Sequence, residues 1–165
     1  MSTPKMEVAG AALPVSNSTG ILLGASAALD LSEDWAVEFG MNYTKRKFSY
    51  DLATVHTEAS LPTLEITGVL KYYMIPFINV NGGFYTGAAV GEATVGSTTA
   101  SFSSLGLESS DFGMILGTGL RLPSSFVSAF TLDLNFLFGL KDLDSSAGSL
   151  KMRDIQILAG IQIGL

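Results

Sequence analysis

The chain has 165 residues, enough for one domain, and 47% of them are hydrophobic while only 15% carry a charge. A soluble surface usually needs about 25–35% charged residues, so much of this surface is not expected to face water. The chain has no cysteine, which excludes disulfides and zinc–thiolate sites, and its net charge of −6 with no sustained basic patch argues against a nucleic-acid partner.

No segment has the sequence of a membrane-spanning helix. Two uncharged stretches, 8–29 and 72–91, have the length, but Pro14 and Pro76 interrupt them together with Gly and Asn. Outside helices, only a closed barrel satisfies every backbone group in lipid. The N-terminus also lacks the unbroken apolar core of a signal peptide, so we expect that an export leader has been removed.

Bulky apolar residues alternate with small or polar ones in eight runs of about ten residues. Successive side chains of a strand point to opposite faces, so this period of two predicts strands with one apolar and one polar face. The clearest runs are 35–44, 130–139 and 155–165. In chain order the predicted strands are 4–13, 19–31, 35–48, 62–73, 77–91, 112–122, 126–140 and 151–164.

The connections alternate between tight turns and longer loops. The tight turns are 32–34, 74–76 and 123–125, and the longer loops are 49–61, 92–111 and 141–150. The link at 14–18 is predicted at the end that carries the long loops, although it is short. Short turns at one end and long loops at the other predict an all-β fold, an eight-stranded antiparallel up-and-down transmembrane β-barrel, with residues 1–165 as a single domain and the short turns in the periplasm.

Pattern alone does not say which face is inside, and a soluble eight-stranded barrel of the lipocalin type also alternates. The polar set is too rich in Gly and too poor in charge to solubilise such a barrel. Small and polar residues do fit the narrow lumen of an eight-stranded barrel. We therefore expect the bulky set, for example Phe39, Leu132 and Ile157, to face lipid.

The segment Leu64–Tyr73, followed by a proline turn and a Gly-rich strand, resembles the central hairpin of the small eight-stranded outer-membrane β-barrel family (OmpX and OmpA transmembrane-domain type). The resemblance implies a monomer in the outer membrane of a Gram-negative bacterium, with outer-membrane lipid and lipopolysaccharide as neighbours. Members commonly end in an aromatic residue, whereas this chain ends in Leu165. The alternating tail keeps the rest of that assembly signal.

Six charged residues are predicted to point into the lumen. A buried charge needs a partner, so we expect salt bridges among them that hold the barrel's shape, with an ion or proton path as the functional alternative. These residues are Asp30, Glu38, Glu65, Lys71, Arg121 and Asp133.

An apolar, Gly-rich outer half of the lumen is a candidate site for a fatty acid or lipid acyl chain. Its predicted lining is Leu22, Tyr85, Ile115, Leu137 and Leu158. The alternative is that these residues pack on one another. The apolar residues of the longest loop, Phe102, Leu105 and Leu107, either form a lid over the barrel mouth or present a contact surface to another molecule.

Two other groups of residues are weaker candidates for a functional site. His56 is the only histidine, and its neighbours Glu58 and Ser60 are predicted on the same loop, where no rigid frame orients them. We therefore predict no catalytic residue, no metal or cofactor, and no enzyme. Lys45-Arg46-Lys47 is predicted at the outer end of the third strand, either in contact with lipopolysaccharide phosphates or simply solvated.

Two functional hypotheses follow from these patterns. The first is an integral outer-membrane barrel with a structural or surface-interaction role and no continuous pore. The second is a barrel that binds a fatty acid or lipid acyl chain in its outer lumen. Fold does not choose between them.

Overall fold

A computed structural model describes residues 5–8, 11–12, 15–17, 20, 22–52, 55–105, 107–124, 129–143 and 148–162. Its strands are β1 (Lys5–Val8), β2 (Ala11–Ala12), β3 (Val15–Asn17), β4 (Leu22–Asp30), β5 (Trp35–Leu52), β6 (Val55–Ile75), β7 (Ile78–Ala89), β8 (Ala93–Val95), β9 (Thr98–Ala100), β10 (Ser110–Pro123), β11 (Ala129–Gly139), β12 (Gly148–Lys151) and β13 (Arg153–Gln162). A single 3₁₀ turn is described, at Ser103–Leu105. In these ranges no helix combines the length and the apolar character that crossing a membrane requires.

Seven long strands form an antiparallel up-and-down sheet in the order β4-β5-β6-β7-β10-β11-β13. The sheet curls until its last strand reaches across to strands near its beginning, as the contacts of Asp154 with Arg46 and of Gln156 with Glu65 show. We call the enclosed space the lumen. The all-β, up-and-down fold class predicted from the alternation is confirmed.

The prediction of one continuous strand at 4–13 is wrong, because its described parts, Lys5–Val8 and Ala11–Ala12, pair with each other in antiparallel fashion. Lys5–Val8 pairs with β12, beginning with Lys5 opposite Lys151, and also with Ala11–Ala12. Ala and Gly dominate residues 9–12, and such residues have low strand propensity and give no alternating apolar face. Among the described residues, β4 and β13 each have a ladder partner on one side only.

The prediction of a loop at 49–61 is wrong. β5 and β6 pair without interruption from Trp35 opposite Tyr72 to Leu52 opposite Val55. The apolar–polar alternation continues through 48–52, and its strand propensity outweighs the Ser, Asp and Thr that suggested a loop. The loop predicted at 92–111 also contains secondary structure, the β8–β9 hairpin and the 3₁₀ turn.

Burial alternates along the strands as the period of two predicts. On β10, outward residues such as Phe112, Met114 and Leu116 are exposed, while Asp111 and Ile115 are buried. The buried polar side chains of the lumen include Asn42, Thr67, Asn79 and Asn81. The sheet therefore turns its bulky apolar face outward and its small and polar face inward.

Arginine on the outward face tests this orientation on one strand. Leu116 and Leu122 both lie on β10, at mid-strand and near the short-turn end, and are 51% and 55% exposed. Because the bilayer centre penalises charge most, Leu116→Arg should lower the free energy of unfolding in lipid vesicles by about 2–4 kcal/mol, and Leu122→Arg by about 0–1 kcal/mol. Urea unfolding followed by gel mobility measures both. Equal costs would contradict the orientation.

Candidate functional site in the lumen

A single buried arginine joins four strands at the loop end of the lumen. Arg46 of β5 is 3% exposed. Its Nη2 lies 2.8 Å from Glu65 Oε1, its Nη1 lies 2.6 Å from Asp111 Oδ2, and its Nε lies 2.8 Å from Asp154 Oδ2. These four residues, here called the Arg46 cluster, come from β5, β6, β10 and β13.

Two neutral side chains support the Arg46 cluster. Tyr85 donates its hydroxyl to Asp111 Oδ2 at 3.0 Å, and the Arg46 guanidinium lies 5.5 Å from the centre of the Tyr85 ring. Gln156 donates its amide Nε2 to Glu65 Oε2 at 3.0 Å. Among the described residues, Arg46 is the only basic partner of these three acids.

The prediction that placed Arg46 with Lys45 and Lys47 at a rim is wrong for Arg46. Inward positions on β5 are even-numbered, and Arg46 continues the series of Asn42 and Thr44. Of this cluster only Glu65 was identified from sequence. Asp111 was missed because the predicted strand began one residue later, and Asp154 was missed although it shares the alternation of Gln156.

The other predicted lumen charges form two further groups nearer the short turns. The Lys71 ammonium lies 2.9 Å from Glu38 Oε2 and donates to both carboxylate oxygens of Asp133, at 3.2 and 3.3 Å. Arg121 Nη1 lies 4.0 Å from Asp30 Oδ1, where both side chains are partly solvated and the pair contributes little. The six predicted residues are thus divided among three groups.

Three of the five residues predicted to line an acyl site pack on one another. Tyr85, Ile115 and Leu137, with Val69, form a buried apolar layer. A Cβ added to Gly113 would lie 2.5 Å from Tyr85 Cε1, so the Tyr85 ring fills the space that this glycine leaves. Leu22 and Leu158 are only half-buried and lie outside this layer.

The predicted lid residues fold over the loop end of the lumen. The cap, residues 92–105 and 107–109, buries Phe102 against Leu61, Leu143 and Met152, and Leu105 and Leu107 pack against the same group. Lys141 fixes one end of the cap by donating to Glu108 Oε2 at 3.3 Å and to Ser110 Oγ at 2.6 Å.

A cavity of about 20 Å³ separates the cap from the Arg46 cluster. Arg46 and Asp111 line its polar side, and Leu61, Phe102 and Leu143 line its apolar side. This volume has room for about one water molecule.

The sequence placed His56 on a loop, which is wrong, because His56 lies on β6 opposite Asp51. Its side chain lies outside the described residues. Within the described part of the chain, no group of three His, Cys, Asp or Glu residues has a geometry that could hold a metal ion.

The family model of the outer membrane protein beta-barrel domain matches residues 12–145, most of the chain. The chain belongs to this family, and it is an integral outer-membrane β-barrel of Gram-negative bacteria. No curated protein matches the chain, and no solved structure does. In such barrels the short turns face the periplasm, so the cap and the Arg46 cluster lie toward the cell exterior.

Removing the Arg46 side-chain charge should be among the most destabilising changes in the lumen. Arg46→Met leaves three buried carboxylates without their cation, which should cost about 3–5 kcal/mol. The control is Lys45→Met on the adjacent exposed residue, with an expected change within about 0.5 kcal/mol. Urea unfolding in vesicles measures both. A cost for Arg46→Met no larger than that of the control would show that the cluster does not stabilise the fold.

Gly113→Ala tests whether the apolar layer is filled. The new methyl group meets the Tyr85 ring and the Phe138 carbonyl, so overpacking should cost about 1–3 kcal/mol. Gly82→Ala is the matched control, because its Cβ would make only ordinary contacts, with Leu116 Cδ2 at 3.6 Å. If Gly113→Ala were as well tolerated as Gly82→Ala, the space beside Tyr85 would be open rather than packed.

Proposed function

We propose that this protein is a structural or surface-interaction barrel of the outer membrane whose lumen is closed to continuous passage. The observation that carries the proposal is the Arg46 cluster, where one guanidinium binds acids from three other strands at distances of 2.6–2.8 Å. A solute crossing the lumen would have to separate these ion pairs.

Further obstacles lie above and below the Arg46 cluster. The cap buries Phe102 on the outer side. The apolar layer around Tyr85 and the Lys71 group, with Glu38 and Asp133, occupy the lumen on the other side. An eight-stranded barrel has an interior just wide enough for its own side chains. The packing therefore favours a closed lumen.

The outer surface supports a role in contact with other molecules. The β5–β6 hairpin continues past the apolar band, and β8 extends it through Ala59 opposite Val95. Exposed hydroxyls cover the cap, including Ser101, which bonds to Ser104 at 2.7 Å. Such a hydrated, weakly charged surface suits contact outside the membrane, where binding residues are concentrated on loops.

The acyl-binding hypothesis is the second candidate. It is supported by the packing of Phe102, Leu105 and Leu107 against the apolar group at the loop end of the lumen. Two observations count against it. The residues expected to line the site are packed on one another, and the cavity below the cap has room for about one water molecule. The proposal gives the barrel no catalytic role and no cofactor.

Conductance and lipid content separate these alternatives. The purified, folded protein should show no steady conductance levels in planar bilayers, and solvent extraction followed by mass spectrometry should release no stoichiometric fatty acid or lipid. The triple variant Phe102→Ser, Leu105→Ser, Leu107→Ser should keep the heat-resistant gel mobility of the folded barrel, because its strands are unchanged.

Steady conductance would refute the closed lumen. Stoichiometric lipid that is present in the parent protein and lost from the triple variant would establish the acyl-binding hypothesis instead. Lipid present equally in both would place it outside the cap-covered lumen.

A further inference from the structure

The curled sheet is open between β4 (Leu22–Asp30) and β13 (Arg153–Gln162), a gap here called the seam. In the ladders that the structure describes, β4 pairs only with β5 and β13 pairs only with β11. Both strands carry exposed apolar residues, such as Leu29 and Ile157, so their free edges lie in the apolar layer of the bilayer. Lipid leaves the backbone groups of an open sheet edge unsatisfied. The seam therefore needs a polypeptide partner.

Strand direction specifies this partner. Neighbouring strands of the seven-stranded sheet are antiparallel, so β4 and β13 run in the same direction, from the loop end toward the short turns. A direct pairing of β4 with β13 would be parallel. One additional strand that runs outward between them would be antiparallel to both, and it would give the even strand number of such barrels.

The short strand β1 already lies at the exterior end of the seam. It pairs antiparallel with β12, beginning with Lys5 opposite Lys151, and so it runs outward as the additional strand must. Continued in this register, the ladder reaches Ile155 opposite residue 1. The edge of β13 at 156–162 therefore lies beyond the register of residues 1–165.

Burial along both edge strands shows the same gap. On β13 the inward residues become more exposed with distance from β1. Asp154 is buried, Gln156 and Leu158 are half-buried, and Gly160 is exposed. On β4 every residue from Leu23 onward is exposed, including those that point inward, whereas most inward positions of β6 are buried. The lumen is thus uncovered along the seam toward the short turns.

The two edges specify the composition of the strand that fits between them. The outward residues on both edges are apolar, namely Leu23, Ala25, Ala27, Leu29, Ile157, Ala159 and Ile161. The inward residues are mostly small or polar, namely Gly24, Ser26, Ala28, Gln156 and Gly160. The fitting strand alternates apolar residues with small or polar ones, as its neighbours do.

We propose that the seam binds a strand of about ten residues that is continuous with β1 and precedes residue 1 in the same polypeptide. Continuity determines the source, because β1 holds the exterior end of the seam in the required direction and register. A strand from another molecule would have to end where β1 begins. In this arrangement β1, β2 and β3 belong to the exterior connection between the added strand and β4.

The N-terminus of the protein isolated from outer membranes is the first test. Mass spectrometry of the folded, heat-resistant protein should find residues before Met1, enough of them to pair with 156–162. These residues should alternate between apolar and small or polar types. A folded protein whose first residue is Met1 or a later one would overturn the proposal.

Disulfide mapping in the same protein tests the register. Residues 1–165 include no cysteine, so introduced cysteines report on chosen positions. The register places the second residue before Met1 opposite Ile157, so a cysteine there should form a disulfide with Ile157→Cys. Ile161→Cys is the matched control, because Ile161 is similarly exposed on the same strand. It lies four residues further along, about 13 Å away, which a disulfide does not span.

Oxidation in membranes should link the Ile157→Cys pair about tenfold more than the Ile161→Cys pair. Equal yields would overturn the register. Differently tagged copies of the protein distinguish the source of the strand. A disulfide that joins two copies would show that the strand is exchanged between molecules, and it would overturn the proposed continuity with β1.

Discussion

The narrow lumen constrains every inward position of this sheet. Each inward side chain must share a small volume with residues from the strands across from it, and glycine is the recurrent solution. Gly24 lies opposite Asn42, Gly117 opposite Asn135, and Gly119 opposite Asp133. At Gly117 and Gly119 an added Cβ would collide with the polar side chain opposite, so neither position tolerates a larger residue without a shift. The glycines that suggested an open, apolar cavity therefore make room mainly for polar groups and for the Tyr85 ring, which is why the lumen is filled.

The narrow lumen also constrains the charged side chains that point into it. A carboxylate buried in the lumen needs a cation, and Arg46 serves three of them. Its Nη1 and Nη2 donate to Asp111 and Glu65, and its Nε forms an ion pair with Asp154 at 2.8 Å. Such buried ion pairs add little net stability compared with apolar packing, but losing one partner costs several kcal/mol. We therefore expect the Arg46 cluster to act mainly on the specificity of strand pairing. It requires β5, β6, β10 and β13 to be in one mutual register, and a one-residue slip of β5 would turn Arg46 to the lipid face.

The sequence was sufficient for the fold class, the facing of the strands and the lumen location of Lys71, because all three follow from a period of two. The sequence was insufficient where the alternation continues through a segment whose composition suggests a loop. Ser49, Asp51 and Thr57 resemble loop residues in composition, yet the β5–β6 ladder continues through them, since pairing along the hairpin outweighs local propensity. The role of Arg46 was hidden by its neighbours, because three consecutive basic residues resemble a solvated rim. The packing of Phe102 depends on Leu61, Leu143 and Met152, which are distant in sequence, and no local pattern separates a lid from a contact surface.

The stretch Lys45-Arg46-Lys47 connects the lumen with the membrane surface. Because alternate side chains point to opposite faces, one register places Arg46 among three acids and Lys45 and Lys47 on the outward face above Tyr43. The alternative register would bury two lysines in the lumen and expose the arginine, leaving Glu65, Asp111 and Asp154 without the guanidinium that pairs with all of them. The energetic penalty of that exchange arises in the lumen, where the acids lose their cation. The exchange also changes which side chains face outward at the exterior end of β5. The ion pairs of Arg46 therefore favour one register of β5, and this register decides which of its basic side chains face the lumen and which face outward.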